Sequence, residues 1–196
     1  MTSAKTHVLA DHLTPERSSI LDIMLVVGFA LLTALLAQIR IPVPGSPVPL
    51  TGQTFAVLLS GAVLGSRRAF SSQALYLAAG AMGLPVFAGG AFSFAYLLGP
   101  TGGYLWSYPV AAALMGWLVE RGASRTPFLL APSLIVCDAV ILTCGALWLH
   151  FIFGIENRQA ALLGFYPFLV GDVLKIVLVG LTLPRVMTWS RPRGSK

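Results

Sequence analysis

The chain has 196 residues, of which 56% are hydrophobic and 10% charged, against roughly 25% charged residues in an ordinary soluble domain. That tells against a soluble globule, and at about 28 residues per span and loop the length makes room for about six membrane helices without an attached ATPase or receptor head. Thirteen Lys and Arg against seven Asp and Glu give a net charge of +6; this fits cytoplasmic loops facing anionic lipid better than nucleic acid, because no basic run is interleaved with aromatics.

Residues 1–19 form a polar tail holding Lys5, Asp11, Pro15, Glu16 and Arg17, expected to be a cytoplasmic arm. The apolar run Ile20–Ile39 follows, long enough to span and longer than the core of a secretory signal. It carries small residues at four-residue spacing, Ala30 and Ala34, a stripe that lets another helix approach, within the bundle or from a partner subunit. Ile41–Pro49 has four prolines in nine residues, so it cannot be helical and is expected to be an ordered loop. Thr51, Gln53 and Thr54 come directly after it and open the second expected span, Gln53–Gly65; the third is Ala69–Gly83. Both are short for a full crossing, so they either do not fully cross or lean on irregular backbone at one end.

Gly83–Ala91 is glycine-rich yet apolar, and the stretch after it ends in Pro100-Thr101-Gly102-Gly103-Tyr104. The fourth span, Gly102–Val119, begins there. Its bare N–H groups at Gly102 and Gly103 make a suitable seat for a carboxylate, although a plain helix start explains them equally well. Tyr76, Tyr104, Trp106 and Tyr108 offer the aromatic walls and neutral hydrogen bonds of a small-ligand pocket. The fifth span, Phe128–Phe151, contains Asp138 and both cysteines, Cys137 and Cys144. Seven residues place the two thiols roughly 10 Å apart along a helix, too far to pair. The sixth span, Ala160–Met187, holds Asp172 and Lys175 at i and i+3.

Charges inside spans are costly and mark function by default. Asp172 offers acceptors and Lys175 a cation or donors, so the two suit a ligand with a donor end and an acceptor end; spacing alone does not say which takes which. A mutually neutralised structural pair is the plainer reading, and Asp138 is either a third ligand-facing group or simply hydrogen-bonded within the bundle. Basic residues set the orientation. Lys5, Arg17, Arg67, Arg68, Arg121, Arg125, Arg185, Arg191, Arg193 and Lys196 fall on one side and only Arg40 and Arg158 on the other, which puts both termini in the cytoplasm. The expectation is an all-α integral membrane protein: a single six-helix domain over residues 20–188, ordered outer loops, and a basic cytoplasmic tail over 189–196. No P-loop, His-Glu-x-x-His or Gly-x-Ser-x-Gly occurs, so neither ATP hydrolysis nor intramembrane hydrolysis has its parts, and no metal site is expected.

The runs Pro47-Val48-Pro49-Leu50-Thr51-Gly52-Gln53, Gly83-Leu84-Pro85-Val86-Phe87 and Gly99-Pro100-Thr101-Gly102-Gly103-Tyr104, together with the closing Asp172 and Lys175 helix, closely resemble the BioY family of bacterial biotin transporters, the substrate-binding S components of energy-coupling factor systems. The likeness runs from about Ala34 to Pro184, departing at Ser93, Tyr96 and Tyr166–Val170. It implies a multi-pass protein of the bacterial cytoplasmic membrane that takes up biotin with high affinity, with no cofactor and no catalysis. It implies the proline loop as a lid and the Asp172 and Lys175 positions in contact with the ligand; Gln53, Thr51, Tyr76, Tyr104, Gly102, Gly103 and Asp138 are the further residues expected around it. It also implies a transmembrane coupling subunit, met by Ala30 and Ala34, and two ATPase subunits. Two other readings stay open: a solitary biotin transporter without an ATPase module, and a membrane enzyme acting on a small amphipathic acid.

Overall fold

The computed structural model describes residues 19–189. The two tails expected at 1–19 and 189–196 therefore lie, apart from Ser19 and Trp189, outside the described residues. Helix α1, Ser19–Ala37, ends where Gln38 turns its side chain back on the chain. Its amide donates to the carbonyls of Ala34 (3.0 Å) and Phe87 (3.2 Å), and its oxygen accepts from Gly90 N–H (2.9 Å). This staples the end of α1 to a 3-10 turn at Ala88–Gly90.

The described chain is not purely helical. Two-residue strands β1, Arg40–Ile41, and β2, Leu50–Thr51, pair antiparallel with Arg40 opposite Thr51. The prolines between them lack N–H donors, so the backbone pairing falls at the base of the loop. The loop is nonetheless tied down: Ser46 Oγ donates to the carbonyl of Leu163 at 2.7 Å, and Val48 is buried.

Helix α2, Gln53–Leu64, has 12 residues, about 18 Å of helix against a hydrocarbon core of about 30 Å. Nearly all of it is buried, so it is a core element with little contact with lipid. Gly65 at φ 81° turns the chain within one residue into α3, Ser66–Ala81. A short helix α4, Phe94–Leu97, leads to α5, Gly102–Glu120, which packs against α2, α3 and α6 at the centre of the bundle. Small residues make that packing possible: a Cβ at Gly61 would stand 2.5 Å from the Ala112 carbonyl oxygen.

Helix α6, Pro127–Phe153, holds Cys137 in the core and Cys144 on the surface, both free thiols. The span expected over Ala160–Met187 is two helices, α7 at Asn157–Gly164 and α8 at Tyr166–Trp189. Pro167 is the reason. It has no N–H for the Leu163 carbonyl, which accepts from Ser46 instead, and the Gly164 carbonyl accepts from the Tyr104 hydroxyl while Phe168 N–H turns to Phe165.

Three described stretches are long and apolar enough to cross a membrane, Ser19–Ala37, Phe128–Phe153 and Asn157–Val179. Large apolar side chains are exposed along them, among them Ile23, Leu31, Leu35, Val136, Phe151 and Val173, as a lipid-facing belt requires. The small-residue stripe of α1 turns inward: Ala30 is 7% exposed and Ala34 half-buried, and α1 packs on α3.

Glu120, at the end of α5, accepts hydrogen bonds from Ser66 N–H (2.7 Å) and from Ser66 Oγ (2.9 Å), putting an anion at the N-terminus of α3. Replacing Glu120 by Ala should cost about 1–2 kcal/mol, read as a lower thermal midpoint in detergent. An unchanged midpoint would contradict this cap.

Candidate ligand-binding site

The charged pair sits where α8 meets α2. Asp172 and Lys175 lie one helical turn apart on α8, and Thr54 faces them from the first turn of α2. Lys175 Nζ donates to Asp172 Oδ1 at 2.7 Å and to Thr54 Oγ1 at 2.8 Å; Thr54 Oγ1 in turn lies 3.3 Å from Asp172 Oδ1. Their side chains are 3% exposed for Asp172 and 13% for Lys175. The second carboxylate oxygen, Asp172 Oδ2, is buried without a hydrogen-bond partner. An ammonium has three N–H donors, so one of Lys175's also remains to be used. A buried carboxylate oxygen left without a donor is costly, and here it belongs to a residue that lines a cavity.

That cavity lies between α2, α5, α6 and α8. Asp172, Lys175, Thr54, Gln53 and Thr51 form its polar wall. Its apolar wall includes Val48, Leu105, Leu142 and Phe168, and Tyr96, Tyr104 and Tyr108 contribute rings. Tyr104 and Tyr108 are i and i+4 on α5 and therefore share a face. Trp106, between them, points the other way: it is 42% exposed and donates to the carbonyl of Leu97.

Gln53 is set by its neighbours. Thr51 Oγ1 donates to Gln53 Oε1 (2.8 Å), Gln53 Nε2 donates to the Tyr76 hydroxyl (2.5 Å), and that hydroxyl donates to the Val86 carbonyl (3.2 Å). Tyr76 is thus outside the cavity lining and fixes the amide that lines it. Phe87 meets Tyr76 edge-on, with ring centroids 5.6 Å apart, and stacks on Tyr96 at 5.2 Å. The outer loop is thereby carried onto the cavity wall.

Three further expected residues stand elsewhere. Gly102 N–H donates to the Gly99 carbonyl, and a Cβ at Gly103 would run into Trp148 and the Cys144 carbonyl oxygen. These glycines let α6 approach α5, and neither lines the cavity. Asp138 is buried on α6, outside the lining, with its carboxyl beside that of Asp172; its Oδ1, like Asp172 Oδ2, is buried without a partner. Among the described residues no group of acidic, histidine or cysteine side chains could hold a metal.

Residues 8–191 match the model of the BioY family. The chain belongs to the BioY family. A probable biotin transporter BioY of Pyrococcus horikoshii is 40% identical over 154 residues, covering 79% of this chain and 88% of that protein. The biotin transporter BioY2 of Lactococcus lactis is 35% identical over 179 residues, covering 88% and 95%. A crystal structure of the S-component for biotin from an ECF-type ABC transporter superposes with a TM-score of 0.81 at 25% identity, covering 88% of this chain and 94% of that one.

Within this BioY chain, sequence reasoning passed over Leu142, whose only signal is position on the face of its helix, and met Phe168 only within the departing stretch Tyr166–Val170. Tyr96 stood out there only as a departure from the family pattern. The relay predicts that Tyr76→Phe, which strands the Gln53 amide and the Val86 carbonyl, loses about 1–3 kcal/mol of stability. Thermal unfolding in detergent checks this, and a wild-type midpoint would contradict the relay.

Proposed function

We propose that this chain is the biotin-binding S component of an energy-coupling factor transporter in a bacterial cytoplasmic membrane, crossing it six times with both termini inside. The observation that carries the reading is the buried Asp172 and Lys175 pair in the lining of a cavity with one polar and one apolar wall, with Asp172 Oδ2 lacking a hydrogen-bond partner. Biotin has an apolar bicycle, a valeryl chain, a carboxylate, and a ureido group with two N–H donors and one carbonyl. A carboxylate oxygen can only accept, so Asp172 takes a ureido N–H and the free donor of Lys175 takes the ureido carbonyl. A ligand carboxylate at this pair would meet an ammonium already neutralised by Asp172. Val48, Leu105, Leu142 and Phe168 suit the apolar remainder, and Gln53, Thr51 and Tyr104 supply the neutral polar contacts.

The names of the relatives support biotin as the cargo. The chain has no P-loop, so energy comes from a transmembrane coupling subunit and two ATPase subunits. Exposed Leu31 and Leu35, beside half-buried Ala34, support an approach along α1. A flap at the outer mouth does not open inward, so release requires the bundle itself to reorient.

Asp172→Asn and Lys175→Ala are each expected to weaken biotin binding at least tenfold in calorimetric titration, because each leaves a buried partner unsatisfied. Thermal melts of the same samples establish that the variants are folded. Near-wild-type affinity in both would make the pair structural, and biotin uptake by vesicles holding this chain alone would contradict the coupled mechanism.

A further inference from the structure

A second space adjoins the ligand cavity, and Pro49, Ala88, Tyr96 and Thr101 line both. Arg40 is the one charged side chain in its lining. It is also one of only two basic residues on the side of the chain that the charge bias assigns to the exterior, so the bias that sets orientation does not account for it.

Arg40 is held in place. Its backbone pairs across the hairpin base with Thr51, itself a residue of the cavity wall. Its guanidinium lies against Gly89, at φ +70°, where a Cβ would come within 2.5 Å of Nη1. Any side chain at position 89 would displace it, and Gln38 bonds to Phe87 and Gly90 on either side of that spot. No acidic side chain among the described residues pairs with Arg40.

We propose that Arg40 is the carboxylate-binding residue of the site: it takes the acid end of the ligand in the outer space while Asp172 and Lys175 hold the other end within. The inner pair is neutral as a unit and its ammonium already has a counter-charge, whereas Arg40 carries an uncompensated positive charge and a donor fork that matches a carboxylate. The two spaces have Pro49, Ala88, Tyr96 and Thr101 in common, and an elongated ligand with polar ends would pass between these residues to occupy both. This assignment rests on the biotin reading above and adds the direction in which the ligand lies.

The test is calorimetric titration of biotin and biotin methyl ester into wild-type protein, Arg40→Gln and Arg40→Lys. Wild type should prefer the acid by about fivefold, the size expected for a charge-assisted contact in a half-open site. Arg40→Gln should weaken biotin by that factor and leave the ester where it was, removing the preference; Arg40→Lys should retain part of it. Equal weakening of both ligands would make Arg40 a prop for the loop, and an undiminished preference for the acid would place the carboxylate on another residue; either overturns the assignment. If neither ligand binds folded wild-type protein, the biotin reading itself fails, a result distinct from those two.

Discussion

The contact on which the arrangement depends is the ammonium of Lys175 between Asp172 Oδ1 and Thr54 Oγ1. Removing two charges from water costs several kcal/mol each, and close pairing with further hydrogen bonds is needed to offset it. Here the pairing is incomplete by one acceptor and one donor: Asp172 Oδ2 has no partner. A membrane bundle that needed only neutralisation would be served as well by apolar side chains. On the proposed function, that shortfall is what a ligand group with an N–H and a carbonyl side by side would fill.

Much of the remaining fold serves to keep that pair dry and fixed. Thr54 comes from α2, a helix too short to cross a membrane and buried along almost its whole length. α2 reaches the pair because Gly61 lets it settle directly on the backbone of α5. On the other side, α8 starts afresh at Tyr166 because Pro167 ends the preceding helix, and the two carbonyls released there are taken by Ser46 of the proline loop and Tyr104 of the cavity wall. The break thus ties the proline loop, the cavity wall and α8 together.

What the sequence disclosed, it disclosed through cost. Asp172 and Lys175 are legible because charges in apolar spans are expensive, and the proline loop because four prolines exclude helix. Tyr104 and Tyr108 share a face by helical spacing, and the same spacing turns Trp106 outward, which grouping residues by neighbourhood alone had obscured. Gly102 and Gly103 show the limit of reading glycines from sequence: a bare helix start and a close helix contact need the same residue, and only Trp148 across the interface distinguishes them. Ala30 is similar, since small residues at four-residue spacing serve an inner or an outer helix equally. The break before α8 was available in Pro167, but hydropathy ran unbroken across it. Tyr96 stands on the four-residue helix α4 and Arg40 on the two-residue strand β1, elements too short for a period in the sequence to carry a signal.

The central claim is that the ureido group is read by Asp172 and Lys175. The measurement that bears on it most directly is titration of purified, biotin-depleted protein with biotin and with an analogue methylated on both ureido nitrogens. Biotin should bind and the methylated analogue should not, because Asp172 Oδ2 would then face methyl groups in place of a donor. Equal binding of the two, or no binding of biotin by folded protein, would contradict the account.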